Sequence, residues 1–263
     1  MLKAILGDKL WFYGLLPMLG SANTVLVVLA FVGVAVVGYL LGSVNTAILV
    51  SKIMYGEDIR TKGSGNAGMT NMMRTYGKGP AAITFIGDLL KTMIAMTVGT
   101  LVLGQNAAYL AGLFAILGHI APIYHKFKGG KGVSSTAMFL LYVDPLAFLV
   151  VLTIFVLIVG GIKFLSLGSI ICAFIFPYIV YSFENAKLDA FIKANPDVPL
   201  EAIPYLDLRF LRLLIMLLIS FTVIFMHRSN IKRLASGTES KFSFKKSVKT
   251  TDAFPSEKDG AQQ

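Results

Sequence analysis

The sequence predicts an all-α integral membrane protein of about seven transmembrane helices, with its amino terminus outside and its carboxyl terminus cytoplasmic. Three observations carry this expectation. Of the 263 residues, 56% are hydrophobic and only 14% charged, against about 25% charged in an average soluble domain. The apolar residues fall into runs, several of them near the ~20 residues needed to cross a hydrocarbon core of ~30 Å. The basic residues collect in alternate gaps between those runs, as the positive-inside bias requires. This composition excludes a disordered chain, a disulfide scaffold and an ordinary soluble enzyme. The one cysteine, Cys172, permits no intrachain disulfide and no cysteine-built metal site. The formal net charge of +10 is explained by the loops of a membrane protein, so the expected partner is the lipid bilayer and not nucleic acid.

The elements follow in order. Residues 1–23 form an amino-terminal extension in which Lys3 and Lys9 flank Leu10 to Leu19, a pattern between a cleavable signal and an interfacial segment. Spans are expected at roughly 24–45, 81–103, 107–124, 133–143, 146–161, 167–183 and 209–226. Asp144-Pro145 separates the fourth from the fifth, because proline lacks an N–H and disfavours helix in the residue before it. The fourth run is too short to cross alone and is expected to extend into the glycine segment before it. Segment 52–79 carries Lys52, Arg60, Lys62, Arg74 and Lys78, and segment 125–132 carries Lys126, Lys128 and Lys131. Segment 184–208 instead has five acids, Glu184, Asp189, Asp197, Glu201 and Asp207, against Lys187 and Lys193. Seven spans put every basic segment inside and the acidic one outside. Residues 24–240 therefore read as one membrane domain, and 241–263 as a polar, disordered cytoplasmic tail.

Three inside segments carry more chemistry than a linker needs. In the first, Gly63-Ser64-Gly65-Asn66-Ala67-Gly68-Met69-Thr70-Asn71 is flanked by Arg60 and Arg74. Glycines let consecutive N–H groups point at an anion, while Ser, Asn and Thr add neutral donors and arginine adds bidentate charge. The second is HKFKGGKGVSST, with Gly129, Gly130 and Gly132 around Lys131 at the start of a helix. That is a phosphate cradle in kind. It is not a Walker A loop, since His125 stands where the first glycine belongs. The third, HRSNIKRLASGTES, places His227 and Asn230 three apart behind the last span. The plainer alternatives are a flexible basic loop, a stop-transfer loop and a lipid-headgroup anchor.

Ionisable and polar residues inside the spans add to this. Asp88 and Lys91, at i and i+3 in the second span, read as an internal ion pair or as support for the loop above them. His119 reads as structural. Ser166 and Ser169 either close a pocket beside the loops or cap the sixth helix, and Cys172 packs.

GSVN at 42–45, DIRTKGSGNAGMTNMMRTYGK at 58–78, GHIAPIYHKFKGGKGV at 118–133, SLGS at 166–169 and HRSNIKRLASGTE at 227–239 together resemble the bacterial acyl-phosphate-dependent glycerol-3-phosphate acyltransferases. The resemblance runs through residues 36–240 in order. It implies a bacterial plasma-membrane enzyme with its site on the cytoplasmic side and no metal or organic cofactor. Its substrates would be acyl phosphate and glycerol 3-phosphate, acylated at the 1-hydroxyl to give lysophosphatidate and phosphate. Carried onto matching positions, it makes Ser64, Arg74, His227 and Asn230 catalytic. Arg60, Asn66, Thr70, Asn71, Gly129, Gly130, Lys131, Gly132 and Ser169 would bind substrate, and Glu239 would support the structure beside Asp88 and Lys91. The chain departs from a minimal member in its amino-terminal extension, Ser134-Ser135, the acidic outer segment and the long tail.

This chemistry agrees with the residues present. An acyl phosphate has a good leaving group, so the need is to neutralise two phosphates and aim a hydroxyl. His227 could take the proton, or the substrate phosphate could; a Ser64 acyl-enzyme lacks G-x-S-x-G, with Lys62 two before it. An H-x-x-x-x-D acyltransferase is disfavoured, because Tyr124, Gly130 and Lys232 follow the three histidines at that spacing. A phosphate-ester transporter would be expected to show paired interrupted helices near the midplane.

Overall fold

A computed structural model describes residues 14–15, 24–197 and 208–242. The expected amino-terminal extension and the tail from 243 onward lie outside the described residues, apart from Gly14 and Leu15. The described residues form helices joined by loops, with no strand among them. Ten α-helices follow one another: α1 (Thr24–Ser43), α2 (Thr46–Tyr55), α3 (Met69–Tyr76), α4 (Lys78–Leu103), α5 (Gln105–Ile120), α6 (Val133–Val143), α7 (Pro145–Ile162), α8 (Leu165–Ala194), α9 (Arg209–Met226) and α10 (Arg228–Ala235).

Six segments are long and apolar enough to cross a membrane: Thr24–Tyr55, Lys78–Leu103, Gln105–His125, Pro145–Ile162, Leu165–Ala194 and Arg209–Met226. The expected fourth span is the exception. α6 has 11 residues, about 16 Å at ~1.5 Å per residue, and does not extend backwards as expected. Gly129 to Lys131 are non-helical, and Gly132 sits at φ +83 as the residue before the helix. This left-handed backbone breaks the helix where glycine tolerates it. The helix thus begins in the interior, with its amino end free to face a cavity. At its other end the expected break is present. Asp144 terminates α6 and caps α7, accepting from Leu146 N at 3.0 Å and Ala147 N at 3.1 Å, with Pro145 in the first turn.

Two other boundaries differ from expectation. The first apolar run breaks at Val44-Asn45, where Asn45 Oδ1 accepts from Ile48 N and starts α2. α8 runs 11 residues past its expected end at 183, so the first part of the acidic segment is helical. That extension is stabilised by polar contacts at the end of the bundle away from the glycine loops. Glu184 accepts from Tyr109 Oη at 2.5 Å and pairs with buried Arg212 at 3.5 Å, while Arg212 Nε donates to Asn106 at 2.7 Å.

Small residues set the packing at the centre. α1 lies on α5 and α4, and a methyl on Gly38 would stand 2.7 Å from Ala111 O. Such close backbone approach is how helices associate without a hydrophobic driving force between them. The main core, around Phe139, Phe176, Tyr109, Met216 and Ile219, fills the space between α5, α6, α8 and α9.

Candidate active site

The first polar loop owes its shape to Asn71, which is 1% exposed. Its Oδ1 accepts from Ser64 N at 2.9 Å, and its Nδ2 donates to Ile59 O and Lys62 O at 3.2 and 3.0 Å. All of its side-chain bonds are inside its own loop, so its main work is holding that loop in place. Arg60 likewise differs from a substrate ligand. It does not line the cavity. Its guanidinium grips Asp58 at 2.7 Å and the carbonyls of His125 and Lys128 at 2.7 and 3.0 Å, tying the first loop to the second. That hydrogen bond holds the Asp58 carboxyl down at about 2.

The second loop docks on the last carbonyls of α5. Gly129 N donates to Ile120 O and Gly130 N to His119 O, both at 3.1 Å. A Cβ at Gly129 would overlap His119 O, and one at Gly130 would overlap the His119 ring and come 2.8 Å from Ala67 O. Gly129 and Gly130 therefore shape the loop by close approach, and the residues that reach the cavity are Lys131 and Gly132.

That cavity, of about 780 Å³, is where the three segments meet. Its polar mouth is lined by Ser64, Asn66, Thr70, Asn71 and Arg74 from the first loop and α3, Lys131 and Gly132 from the second, and His227, Asn230 and Glu239 from the third. Ser134 and Thr136 of the first turns of α6 also face it. An uncapped helix start offers free N–H groups and a positive dipole end to an anion. Asp88 and His119 form part of the floor. Towards the interior the walls become apolar, with Phe148, Leu152 and Phe155 on α7 and Ala173 and Phe176 on α8.

The charges are arranged around one chain of hydrogen bonds. Lys131 Nζ donates to Asn230 Oδ1 at 2.5 Å; Asn230 Nδ2 donates to Glu239 Oε1 at 2.7 Å. Glu239 also accepts from Ser166 Oγ at 2.7 Å and pairs with Arg233 at 2.7 Å. Burial alone would raise the Glu239 carboxyl, but the bonds from Ser166, Asn230 and Arg233 outweigh it and keep the group ionised. Lys131 is pushed down to about 8, first by burial and then by Arg233 and Arg74 nearby. The Arg74 guanidinium has no partner among the described residues.

His227 sits at the α9–α10 junction and is 3% exposed. Its Nδ1 lies 2.8 Å from Val223 O. A carbonyl only accepts, so Nδ1 carries the proton and Nε2 keeps its lone pair. Burial pushes the ring down to about 4, with Lys131 adding to the effect, so it is neutral at pH 7. Neither expected role of the two serines of α8 as caps is met, because Phe164 occupies that position. Ser169 Oγ donates to Leu165 O at 2.9 Å, and both serines line the cavity. Asp88 and Lys91 pair at 2.9 Å under the floor. Ser134, Thr136 and the wall position of His119 escaped sequence reading; the start of α6 at Val133, directly before Ser134, was the available signal.

A family model described as glycerol-3-phosphate acyltransferase matches residues 32–237. The chain is 37% identical over 225 residues to a glycerol-3-phosphate acyltransferase of Clostridioides difficile, covering 83% of this chain and 98% of the relative. It is 38% identical over 212 residues to one from Carboxydothermus hydrogenoformans, covering 81% and 96%. Among solved structures it resembles PlsY (YgiH), an integral membrane glycerol 3-phosphate acyltransferase, in its glycerol 3-phosphate form. The TM-score is 0.64 at 28% identity, over 81% of this chain and 96% of that one. The lysophosphatidic acid form of PlsY gives a TM-score of 0.62 at 26% identity.

Proposed function

The chain belongs to the glycerol-3-phosphate acyltransferase family and is a multi-pass membrane acyltransferase, and we propose that its acyl donor is an acyl phosphate. The acceptor is the 1-hydroxyl of sn-glycerol 3-phosphate, and the products are 1-acyl-glycerol 3-phosphate (lysophosphatidate) and phosphate. Residues 24–240 are the catalytic membrane domain. The cavity opens to the cytoplasm of a bacterial plasma membrane, the side to which the basic loops assign it.

One observation carries this reading. Lys131, Arg74 and the start of α6 converge at the polar mouth of a cavity whose inner wall is apolar. A mouth for anions joined to an apolar groove suits a phosphate attached to an acyl chain. Two phosphates brought together repel, and fixed cations with preorganised N–H groups offset that repulsion without reorganising during the reaction. Lys131, held by Asn230, and the free Arg74 supply the charge; Ser64, Asn66 and Thr70 supply neutral donors.

The acceptor oxygen attacks the carbonyl carbon, the carbon–oxygen bond to phosphate breaks, and phosphate leaves. His227 Nε2 accepts a hydrogen bond from the attacking hydroxyl and orients it. Held near 4, this ring is a weak base: it orients the hydroxyl in the ground state, and as the new carbon–oxygen bond forms the hydroxyl swings its one proton from Nε2 to a substrate phosphate oxygen, which takes it. Ser64 makes no hydrogen bond to a histidine among the described residues, which favours direct transfer over an acyl-serine. No cofactor enters this chemistry.

Purified protein in lipid, given glycerol 3-phosphate with either palmitoyl phosphate or palmitoyl-CoA, tests the donor. The proposal expects lysophosphatidate from palmitoyl phosphate alone; product only from the thioester would overturn it.

A further inference from the structure

Beneath the mouth of the cavity, four groups are buried together: Asp88, Lys91, His119 and the carbonyl of Val44. Asp88 is 1% exposed, Lys91 6% and His119 3%. Lys91 Nζ lies 2.8 Å from Val44 O, 2.9 Å from Asp88 Oδ1 and 3.0 Å from His119 Nδ1. An ammonium has three donors and no acceptor. Two go to oxygens that only accept, so the third goes to a ring nitrogen that must also accept. A neutral Lys91 would leave the buried Asp88 carboxylate without its counter-charge. Asp88 Oδ1 is also 3.4 Å from His119 Nδ1, but it already takes Lys91 at 2.9 Å and Thr46 Oγ1 at 3.3 Å. A proton on Nδ1 would point straight at the ammonium.

With Nδ1 an acceptor, the proton of the neutral ring is on Nε2. That atom lies beside Gly130, between the two glycine loops: a Cβ on Gly130 would overlap it and stand 2.8 Å from Ala67 O. His119 lines the cavity, and no described residue is hydrogen-bonded to its Nε2.

We propose that His119 is a substrate-binding residue, a neutral Nε2–H donor aimed at a phosphate oxygen in the cavity, with Lys91 as the positioning residue that fixes its tautomer. The inference rests on the proposed function only in taking the cavity to hold a phosphate ester. It makes His119 and His227 complementary. His119 presents a proton to phosphate and His227 a lone pair to a hydroxyl, so the two neutral rings sort the two ends of the acceptor. An aliphatic residue at 119 would fill the wall but lose the donor, whereas glutamine returns an N–H near the Nε2 position.

The chain has three histidines, so 15N-histidine labelling, assigned with a His125→Gln variant and a His227→Gln variant, reads His119 in the intact protein. The expected spectrum has His119 neutral and protonated on Nε2. Saturating glycerol 3-phosphate, inorganic phosphate or a non-hydrolysable acyl phosphonate then shifts its Nε2–H signal, and the probe that shifts it identifies which phosphate is touched. An Nδ1–H tautomer, an imidazolium, or an Nε2–H unmoved by all three probes would overturn the proposal. These results do not depend on turnover, so failure of the donor assignment leaves them readable. In kinetics, His119→Leu should raise KM about tenfold for a phosphate substrate, the scale of a lost hydrogen bond to a charged group. His119→Gln should recover most of that loss with kcat little changed. Equal KM for wild type and His119→Leu contradicts the assignment.

Discussion

Lys131 should impose a pH limit on substrate capture, and its burial sets where that limit falls. In the free protein its ammonium is held at about 8 by desolvation together with Arg233 and Arg74. About half of the molecules then carry the charge at pH 8 and about a tenth at pH 9, while the second ionisation of a phosphate ester, near 6, is complete throughout. If only charged Lys131 binds glycerol 3-phosphate, kcat/KM should fall about tenfold between its plateau below pH 7 and pH 9. It reports the free enzyme. Under saturating substrate the bound phosphate favours the charged form, so kcat should change less over the same range. Loss of fold does not mimic this. Between pH 8 and 10.5 the unfolded chain binds more protons at this lysine than the folded one, so its contribution to stability rises with pH. The assay is initial-rate kinetics in glycerol 3-phosphate with palmitoyl phosphate held well below its own KM, so that the free enzyme is the species read, from pH 6.5 to 9.5. Lys131→Arg, lower in absolute rate because its geometry differs, should lose the decline since arginine stays charged. A flat wild-type profile to pH 9.5, or an unchanged decline in Lys131→Arg, would mean that the Lys131 charge does not govern substrate capture.

Three further outcomes follow from contacts elsewhere. Gly130→Ala forces a methyl into the His119 ring and against Ala67 O, so it should raise KM for glycerol 3-phosphate by about tenfold, ~1.4 kcal/mol, with a smaller change in kcat. His227→Gln keeps an acceptor and, for an orienting role, should retain a kcat within about tenfold of wild type; a loss beyond about a thousandfold would favour a true base. Arg212→Ala removes a buried guanidinium and leaves the partly buried Glu184 without its ion pair at the opposite end of the bundle. It should lower stability by about 3–5 kcal/mol in thermal unfolding while leaving KM unchanged.

Much of this was legible in the residues, and the exceptions share a cause. Apolar runs and the Asp144-Pro145 break placed the helices, because hydrophobic length and a missing N–H are local properties. The meeting of three polar segments was legible because each follows a span. Direction was not. Arg60 and Asn71 are donors in a loop suited to anions, yet Asn71 turns its amide to the carbonyls of its own loop and Arg60 its guanidinium to Asp58 and the carbonyls of the second loop, a choice made by packing at Ile59, Lys62, His125 and Lys128. His119 read as structural because the lysine that orients it lies 28 residues earlier on a different helix. The length of α8 was hidden because Glu184 ends an apolar run in sequence, but is sheltered in space by Tyr109 and Arg212.

If the acyl group passes straight from acyl phosphate to glycerol 3-phosphate in this cavity, phosphate release must wait for the acceptor. The purified protein is mixed with a stoichiometric amount of palmitoyl phosphate, phosphate is followed before and after glycerol 3-phosphate is added, and lysophosphatidate is counted alongside. Direct transfer gives no enzyme-dependent phosphate before the acceptor arrives, then one phosphate for each lysophosphatidate formed. A burst of one phosphate per protein without acceptor, with a palmitoyl mass added to the chain, would contradict it.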